Sequence, residues 1–138
     1  MKKHIVVIDD ERAIRSILGR QLPLYDYEVH CCDSGQAGLD HVMALVRTTE
    51  IEVILLDWMM PEMSGLEVLV KLKRRSLTRD IPIFMLTSKS KMDDLDMAFD
   101  MGADNYITKP FRVSLIGSII NLKLAKLREK KKKLEGVS

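Results

Sequence analysis

Two textures alternate along this chain: short unbroken apolar runs, and longer stretches in which apolar residues recur every three or four positions. Ile5-Val6-Val7-Ile8, Val53-Ile54-Leu55-Leu56 and Ile83-Phe84-Met85-Leu86 are runs of strand length, rich in branched residues, as expected of strands buried on both faces. After the first run, Ile14, Ile17, Leu18 and Leu22 lie at helical spacing, which predicts a helix over 11–22 ended by Pro23. Asp10 and Glu11 stand at its positive end. Residues 27–32 read as a second strand, and Asp33-Ser34-Gly35 as the turn into a helix over about 36–47. The third strand ends at Asp57, and Pro61 with Ser64-Gly65 marks a loop. Ser64 stands three residues before Glu67, the capping-box spacing, so a helix should start there and run to about Arg75. Ile81-Pro82 opens the fourth strand, where a proline at the beginning is tolerated. A helix over 91–101 closes at Gly102, a short fifth strand covers 105–109, and a long last helix spans 112 to about 134.

Fivefold strand–helix alternation implies a parallel α/β sheet, doubly wound, with helices on both faces, because right-handed crossovers place them there. In such a sheet all strand C-termini share one edge, and ligands bind in the crevice beside it. Four of the runs end at chemistry-bearing residues: Asp9-Asp10, Asp57, Thr87 and Lys109. Positions dozens of residues apart therefore converge into one pocket with three carboxylates, a hydroxyl and an ammonium. Hard oxygen ligands of that charge suit Mg²⁺ held with several waters. Asp57, alone at a strand tip, is placed to attack phosphorus and form an acyl phosphate. The phosphoryl oxygens then need counter-charge, which the metal, Lys109 and the Thr87 hydroxyl can each supply.

Composition alters little of this. At 138 residues, 46% apolar and 30% charged, the chain is one soluble domain's worth. The net charge of +2 is unevenly spread: residues 123–135 hold seven basic and two acidic side chains, leaving a mildly acidic body. We read residues 1–125 as one domain and 126–138 as a basic extension of the last helix, a linker or tail. No aromatic residue lies beyond 123 to stack on bases, so direct nucleic-acid binding is not expected, nor is membrane binding. The N-terminal Met1-Lys2-Lys3-His4 leads into an apolar run too short for a signal peptide, and a cytoplasmic location is expected. Adjacent Cys31 and Cys32 suit neither a disulfide nor zinc. His4, His30 and His41 form no ligand-spaced cluster and are read as without function. Val113, Ile120, Leu127 and Leu134 recur every seven residues, at best a weak coiled-coil seam given the lysines beside them.

Four stretches resemble the receiver domain of two-component response regulators: Ile-Val-Val-Ile-Asp-Asp-Glu at 5–11, Ile-Leu-Leu-Asp-Trp-Met-Met-Pro-Glu-Met-Ser-Gly-Leu-Glu at 54–67, Pro-Ile-Phe-Met-Leu-Thr-Ser at 82–88 and Gly-Ala-Asp-Asn-Tyr-Ile-Thr-Lys-Pro-Phe at 102–111. The resemblance covers residues 3 to about 125. It implies the flavodoxin-like strand order 2-1-3-4-5 with five helices, the last extended. It also implies that Asp57 is phosphorylated by a partner histidine kinase or phosphotransfer protein. Asp10 and Asp57 would ligate Mg²⁺ (or Mn²⁺) directly and Asp9 through water, with the Met59 backbone carbonyl completing the set. Thr87, with its neighbour Ser88, and Tyr106 would form the switch, and Lys109 the phosphate contact, followed by a cis bond to Pro110. Met59 and Lys89 take the positions that tune water access to the phosphoryl group in this family.

The expected role is that of a phosphoacceptor, not a turnover enzyme. It would alter the surface of the fourth helix, fifth strand and fifth helix. That surface would address a downstream protein or a covalently linked output domain, and is also the candidate dimer face. A haloacid-dehalogenase-like phosphatase uses similar groups, but places its nucleophile after the first strand as Asp-x-Asp and its acidic pair last; here the order is reversed. An inactive receiver-like module is disfavoured because no chemical position is missing.

Overall fold

The computed structural model describes residues 2–88 and 92–136. Its elements are β1 (Lys3–Ile8), α1 (Arg12–Gln21), β2 (Tyr27–Cys32), α2 (Gly35–Leu45), β3 (Ile51–Asp57), α3 (Gly65–Arg74), β4 (Ile83–Thr87), α4 (Met92–Asp100), β5 (Asn105–Thr108) and α5 (Ile116–Leu134). The strands form one sheet in the order β2-β1-β3-β4-β5, every pair parallel. The continuous apolar runs are the three central strands, buried as their composition requires: Ile5 to Ile8, Val53 to Leu56 and Ile83 to Leu86 are each 0% exposed.

Alternation within those strands builds two cores. Val6, Ile8, Ile54, Leu56, Ile83 and Met85 face Leu39 and Val42 of α2, Val68, Leu69 and Leu72 of α3, and Ala98 of α4. Ile5, Val7, Val53, Leu55, Phe84 and Leu86 face Leu18 of α1 and Ile116, Ile120 and Leu124 of α5.

Local signals act where the sequence placed them, with shifts at element ends. The Ser64 hydroxyl accepts from Glu67 N at 3.3 Å and Ser34 from Ala37 N at 3.1 Å, starting α3 and α2. Gly102 has φ of 112°, a left-handed region that glycine enters without Cβ penalty, and its N–H donates to Phe99 O while Ala103 N donates to Ala98 O. The α-helix α1 ends at Gln21, just ahead of Pro23 as expected. Pro23 sits in the first turn of a 3₁₀ stretch, Leu22–Tyr25, where a missing N–H costs no bond. Pro82 lies just before β4, and its carbonyl still accepts from Ile54 N at 2.9 Å. The start of the fourth helix at residue 91 lies outside the described residues; α4 is described from Met92.

The seven-residue recurrence in the last helix is not a coiled-coil seam. Ile120 is fully buried and Leu127 packs against the α1/α5 core, while Leu134, on the overhang, is 78% exposed. Ile120 and Leu127 belong to the stripe by which α5 lies on the sheet, whereas Val113, ahead of α5, is exposed like Leu134.

Candidate functional site

Parallel register brings the strand ends to one edge. β1 ends at Ile8, opposite Leu56, and Asp57 pairs with Leu86, so Asp9-Asp10, Asp57 and Thr87 follow in a row across the sheet. Lys109 N donates to Thr87 O at 2.8 Å, which carries the β4–β5 ladder one residue past β5. The Lys109–Pro110 bond is cis.

Lys109 is the electrostatic centre of this edge. Its Nζ lies 2.8 Å from Asp9 Oδ2, 3.2 Å from Glu11 Oε1 and 3.3 Å from Asp57 Oδ1. Burial works against its charge, but the Asp9 carboxylate at 2.8 Å, with Asp57 and Glu11 behind it, outweighs it and raises its pKa. The carboxyl of Asp57 is also pushed up, to about 7, which here favours its neutral form: burial is the main cause, then a hydrogen bond with the Asp10 carboxyl and the charge of Asp9, against which Lys109 pulls. Asp9 is wholly buried; its Oδ1 accepts from Glu11 N at 2.9 Å, tying the strand end to the start of α1. Asp10 is exposed, beside the opening.

These carboxylates fit a hard divalent cation. One oxygen from each of Asp9, Asp10 and Asp57 lies within 4.8 Å of the others. Asp9 Oδ2, buried, accepts no aligned hydrogen bond from the described residues although Lys109 Nζ is close. A cation, reaching that oxygen through a water, would supply counter-charge against the burial and carboxylate crowding that raise the Asp57 pKa.

A cavity of about 350 Å³ opens beside Asp57, lined among others by Met59, Thr87, Ser88, Lys109 and Pro110. Thr87 is buried and Met59 is 65% exposed at the mouth. Lys89, assigned to the same mouth from sequence, lies outside the described residues. Tyr106 is set apart from this cavity: half-buried on β5, it packs edge-on against Phe99 at 6.1 Å and beneath Lys123 Nζ at 5.7 Å.

Two contributors escaped the sequence reading. Glu11, assigned there only to a helix start, is a third carboxylate on Lys109. Gly65, read as a loop residue, is a steric requirement: a Cβ there would stand 2.0 Å from Asp57 O, and its N–H donates to Trp58 O at 2.9 Å. Only glycine lets α3 begin flush against the end of β3. Gly65→Ala should therefore cost about 2–3 kcal/mol in urea unfolding, because backbone rather than a flexible side chain must move.

The histidine reading is corrected. His4 Nδ1 and His30 Nε2 are 3.0 Å apart, and His30 Nδ1 and His41 Nε2 are 3.0 Å apart. Parallel pairing sets Val6 beside His30, so His4, two residues earlier, shares its face, and α2 lays His41 over both. Sequence separations of 26 and 11 concealed a cluster that only strand register creates.

A doubly wound five-stranded sheet whose C-terminal edge joins an acidic trio, a buried threonine and a lysine defines a class of phosphoacceptor signalling domains. The chain belongs to the response regulator receiver domain family, whose family model matches residues 5–121. It is 42% identical over 109 residues to the phosphate regulon transcriptional regulatory protein PhoB of Pseudomonas aeruginosa, covering 79% of this chain and 46% of that protein. It is 38% identical over 111 residues to the response regulator MprA of Mycolicibacterium vanbaalenii, covering 80% and 46%. The chain thus spans less than half the length of these curated relatives. Among solved structures, a receiver domain protein from Clostridium thermocellum superposes with a TM-score of 0.78 at 26% identity, covering 96% of this chain and 98% of that one. Chemotaxis protein CheY4 of Vibrio cholerae shares the fold, with a TM-score of 0.78 at 24% identity and coverage of 88% and 98%. A phosphoacceptor role fits the family, and receiver domains bind Mg²⁺ at an acidic pocket. Among the described residues no helix is long and apolar enough to cross a membrane.

Proposed function

We propose that Asp57 takes a phosphoryl group from a histidine kinase or phosphotransfer protein. The observation that carries this reading is the Lys109 ammonium between Asp9 and Asp57 at the head of the open cavity. An Asp57 oxygen attacks phosphorus, the bond to the donor's leaving group breaks with its electron pair going to that group, and an acyl phosphate remains. Asp10, Asp57 and the Met59 carbonyl would hold Mg²⁺ (or Mn²⁺) directly, with Asp9 behind a water; bound there, the ion supplies counter-charge to a phosphoryl oxygen. Lys109 donates to a second oxygen and Thr87, with Ser88 beside it, to a third. Incubation with acetyl phosphate and Mg²⁺ should add the mass of one phosphoryl group per chain; no addition would refute the proposal. The protein assists its own phosphorylation and dephosphorylation and turns over no external substrate.

Drawing Thr87 toward the new oxygens leaves space beside the sheet for Tyr106 to enter, which breaks its contacts with Phe99 and Lys123 and remodels the face of α4, β5 and α5. That face, with Met97, Phe99, Leu115 and Leu122 exposed, is the docking surface for an output partner or a second copy. Residues 126–138 serve as linker or tail, a role supported by the greater length of the relatives. A cytoplasmic site of action follows from a kinase donor.

Hydrolysis of the acyl phosphate needs a water aligned behind phosphorus. Met59, exposed at the mouth, offers that water no oxygen or nitrogen acceptor. We expect a phosphorylated lifetime of minutes or longer. Met59→Asn should shorten it about tenfold, a part of the 10²–10⁴ available to full water activation. Adding Lys89→Glu should shorten it further, as followed by loss of the phosphoryl mass with time.

A further inference from the structure

Outside the acidic edge, one other group of side chains has the makings of a ligand set. His4 on β1 and Glu28 and His30 on β2 lie on one sheet face, because His4 pairs with Glu28 and Val6 with His30. His4 Nδ1 and His30 Nε2 face each other at 3.0 Å, and Glu28 Oε2 is 3.5 Å from the same His4 nitrogen. All three ligand atoms fall within 4.8 Å of one another. The two imidazoles are partly buried while the Glu28 side chain is 57% exposed, so the site is held by the sheet and open to solvent.

We propose that His4, Glu28 and His30 form a binding site for a borderline transition-metal dication, Zn²⁺ above all, oriented by His41. At metal–ligand distances of about 2.0–2.1 Å, nitrogens 3.0 Å apart subtend about 94° at the ion, and the His4–Glu28 pair about 117°. Both angles suit a four- or five-coordinate centre with an open position. Glu28 closes on the ion by a rotamer change of an exposed side chain, whereas the histidines are positioned by backbone pairing.

His41 supplies the support such a site needs. With the His30 Nδ1–H donating to His41 Nε2 at 3.0 Å, the His30 Nε2 lone pair is left pointing at the metal position. His4 presents its own Nδ1 lone pair by moving its proton to Nε2, so neither ring changes charge. Imidazole nitrogens favour zinc, copper or nickel over Mg²⁺, and the site is therefore chemically distinct from the carboxylates near Asp57. His4 lies five residue steps before Asp9, about 16 Å along the direction of β1. The two sites can be filled independently.

The test is Zn²⁺ titration by calorimetry in saturating Mg²⁺, with the melting temperature followed alongside. Wild type should take up one equivalent and melt higher with Zn²⁺ present. Binding should weaken about tenfold in His41→Phe and by more in His4→Gln and His30→Gln. It should persist in Asp10→Asn and in Cys31→Ser/Cys32→Ser. Nitrogen NMR of the wild-type imidazoles, which depends on no variant folding, should show Nδ1 of His4 and Nε2 of His30 shifting on Zn²⁺ addition. No binding by wild type, or unchanged binding in His30→Gln, would overturn the proposal. So would loss confined to the cysteine variant, which would assign the ion to the thiols. Loss in His4→Gln alone would place it on the N-terminal segment and equally refute the site.

Discussion

Asp57→Asn should yield a protein that acetyl phosphate no longer labels, with no added phosphoryl mass at a dose that modifies every wild-type chain. The expected loss is complete because, among the described residues, the other carboxylates at this edge are less well placed to attack: Glu11, which also lines the cavity, is exposed and held by Lys109 at 3.2 Å. Asp9 is wholly buried and its Oδ1 is occupied by the Glu11 N–H. Asp10 is exposed and adjoins Asp57, but it does not itself line the cavity that Asp57 lines. An asparagine keeps shape and hydrogen bonding at 57, so lost labelling reports nucleophilicity and not collapse. Full labelling of the variant would mean that another residue accepts the group. A mass increase moved to Asp10 would say that the cavity head tolerates attack from either strand.

The second large effect is on stability without metal. Folding holds the Asp57 carboxyl up to about 7, against an ordinary value of 3.8. Between those values the unfolded chain releases this proton before the folded chain does, so the folded state binds more protons there. Stability therefore falls as pH rises from about 4 to about 7 and levels off above it. In metal-free buffer at pH 8, Asp57→Asn should be more stable than wild type by about 2 kcal/mol, with the difference closing by about pH 4. Mg²⁺ should narrow the gap at pH 8 by stabilising wild type. That response, read as well in the emission of Trp58 beside the site, should be lost in Asp10→Asn. Urea unfolding at the two pH values, with chelator or Mg²⁺, measures all of this. A wild type that gains stability over the same pH window relative to Asp57→Asn would contradict the burial and carboxylate crowding that hold the Asp57 proton.

The elements were legible because each announces itself locally. Val53 to Leu56 is apolar at every position because both faces of β3 are covered, and Ser64 begins a helix because its hydroxyl meets an N–H three residues on. Pro23 follows the end of α1 at Gln21, but because a proline at the head of a 3₁₀ turn forfeits no hydrogen bond, one further turn follows. The seven-residue recurrence, at best a weak interhelical seam by its lysines, is in part the stripe that a helix lying on a sheet needs.

By itself the sequence determined the strand–helix alternation, the parallel sheet and the set of residues at strand ends, since a buried run and the polar residue closing it are adjacent along the chain. Only the tertiary structure decided what those residues do to one another. Lys109 meets Asp9, Glu11 and Asp57 across separations of up to 100 residues, and a backbone oxygen of Asp57 forbids any side chain at position 65. His4, His30 and His41 become neighbours through the register of β1 on β2 and the seating of α2. The physical reason is the same in each case. The burial of a strand or helix face acts over a few residues and leaves a periodic trace, whereas strand register, charge, close approach and ligand geometry act across the fold and leave none.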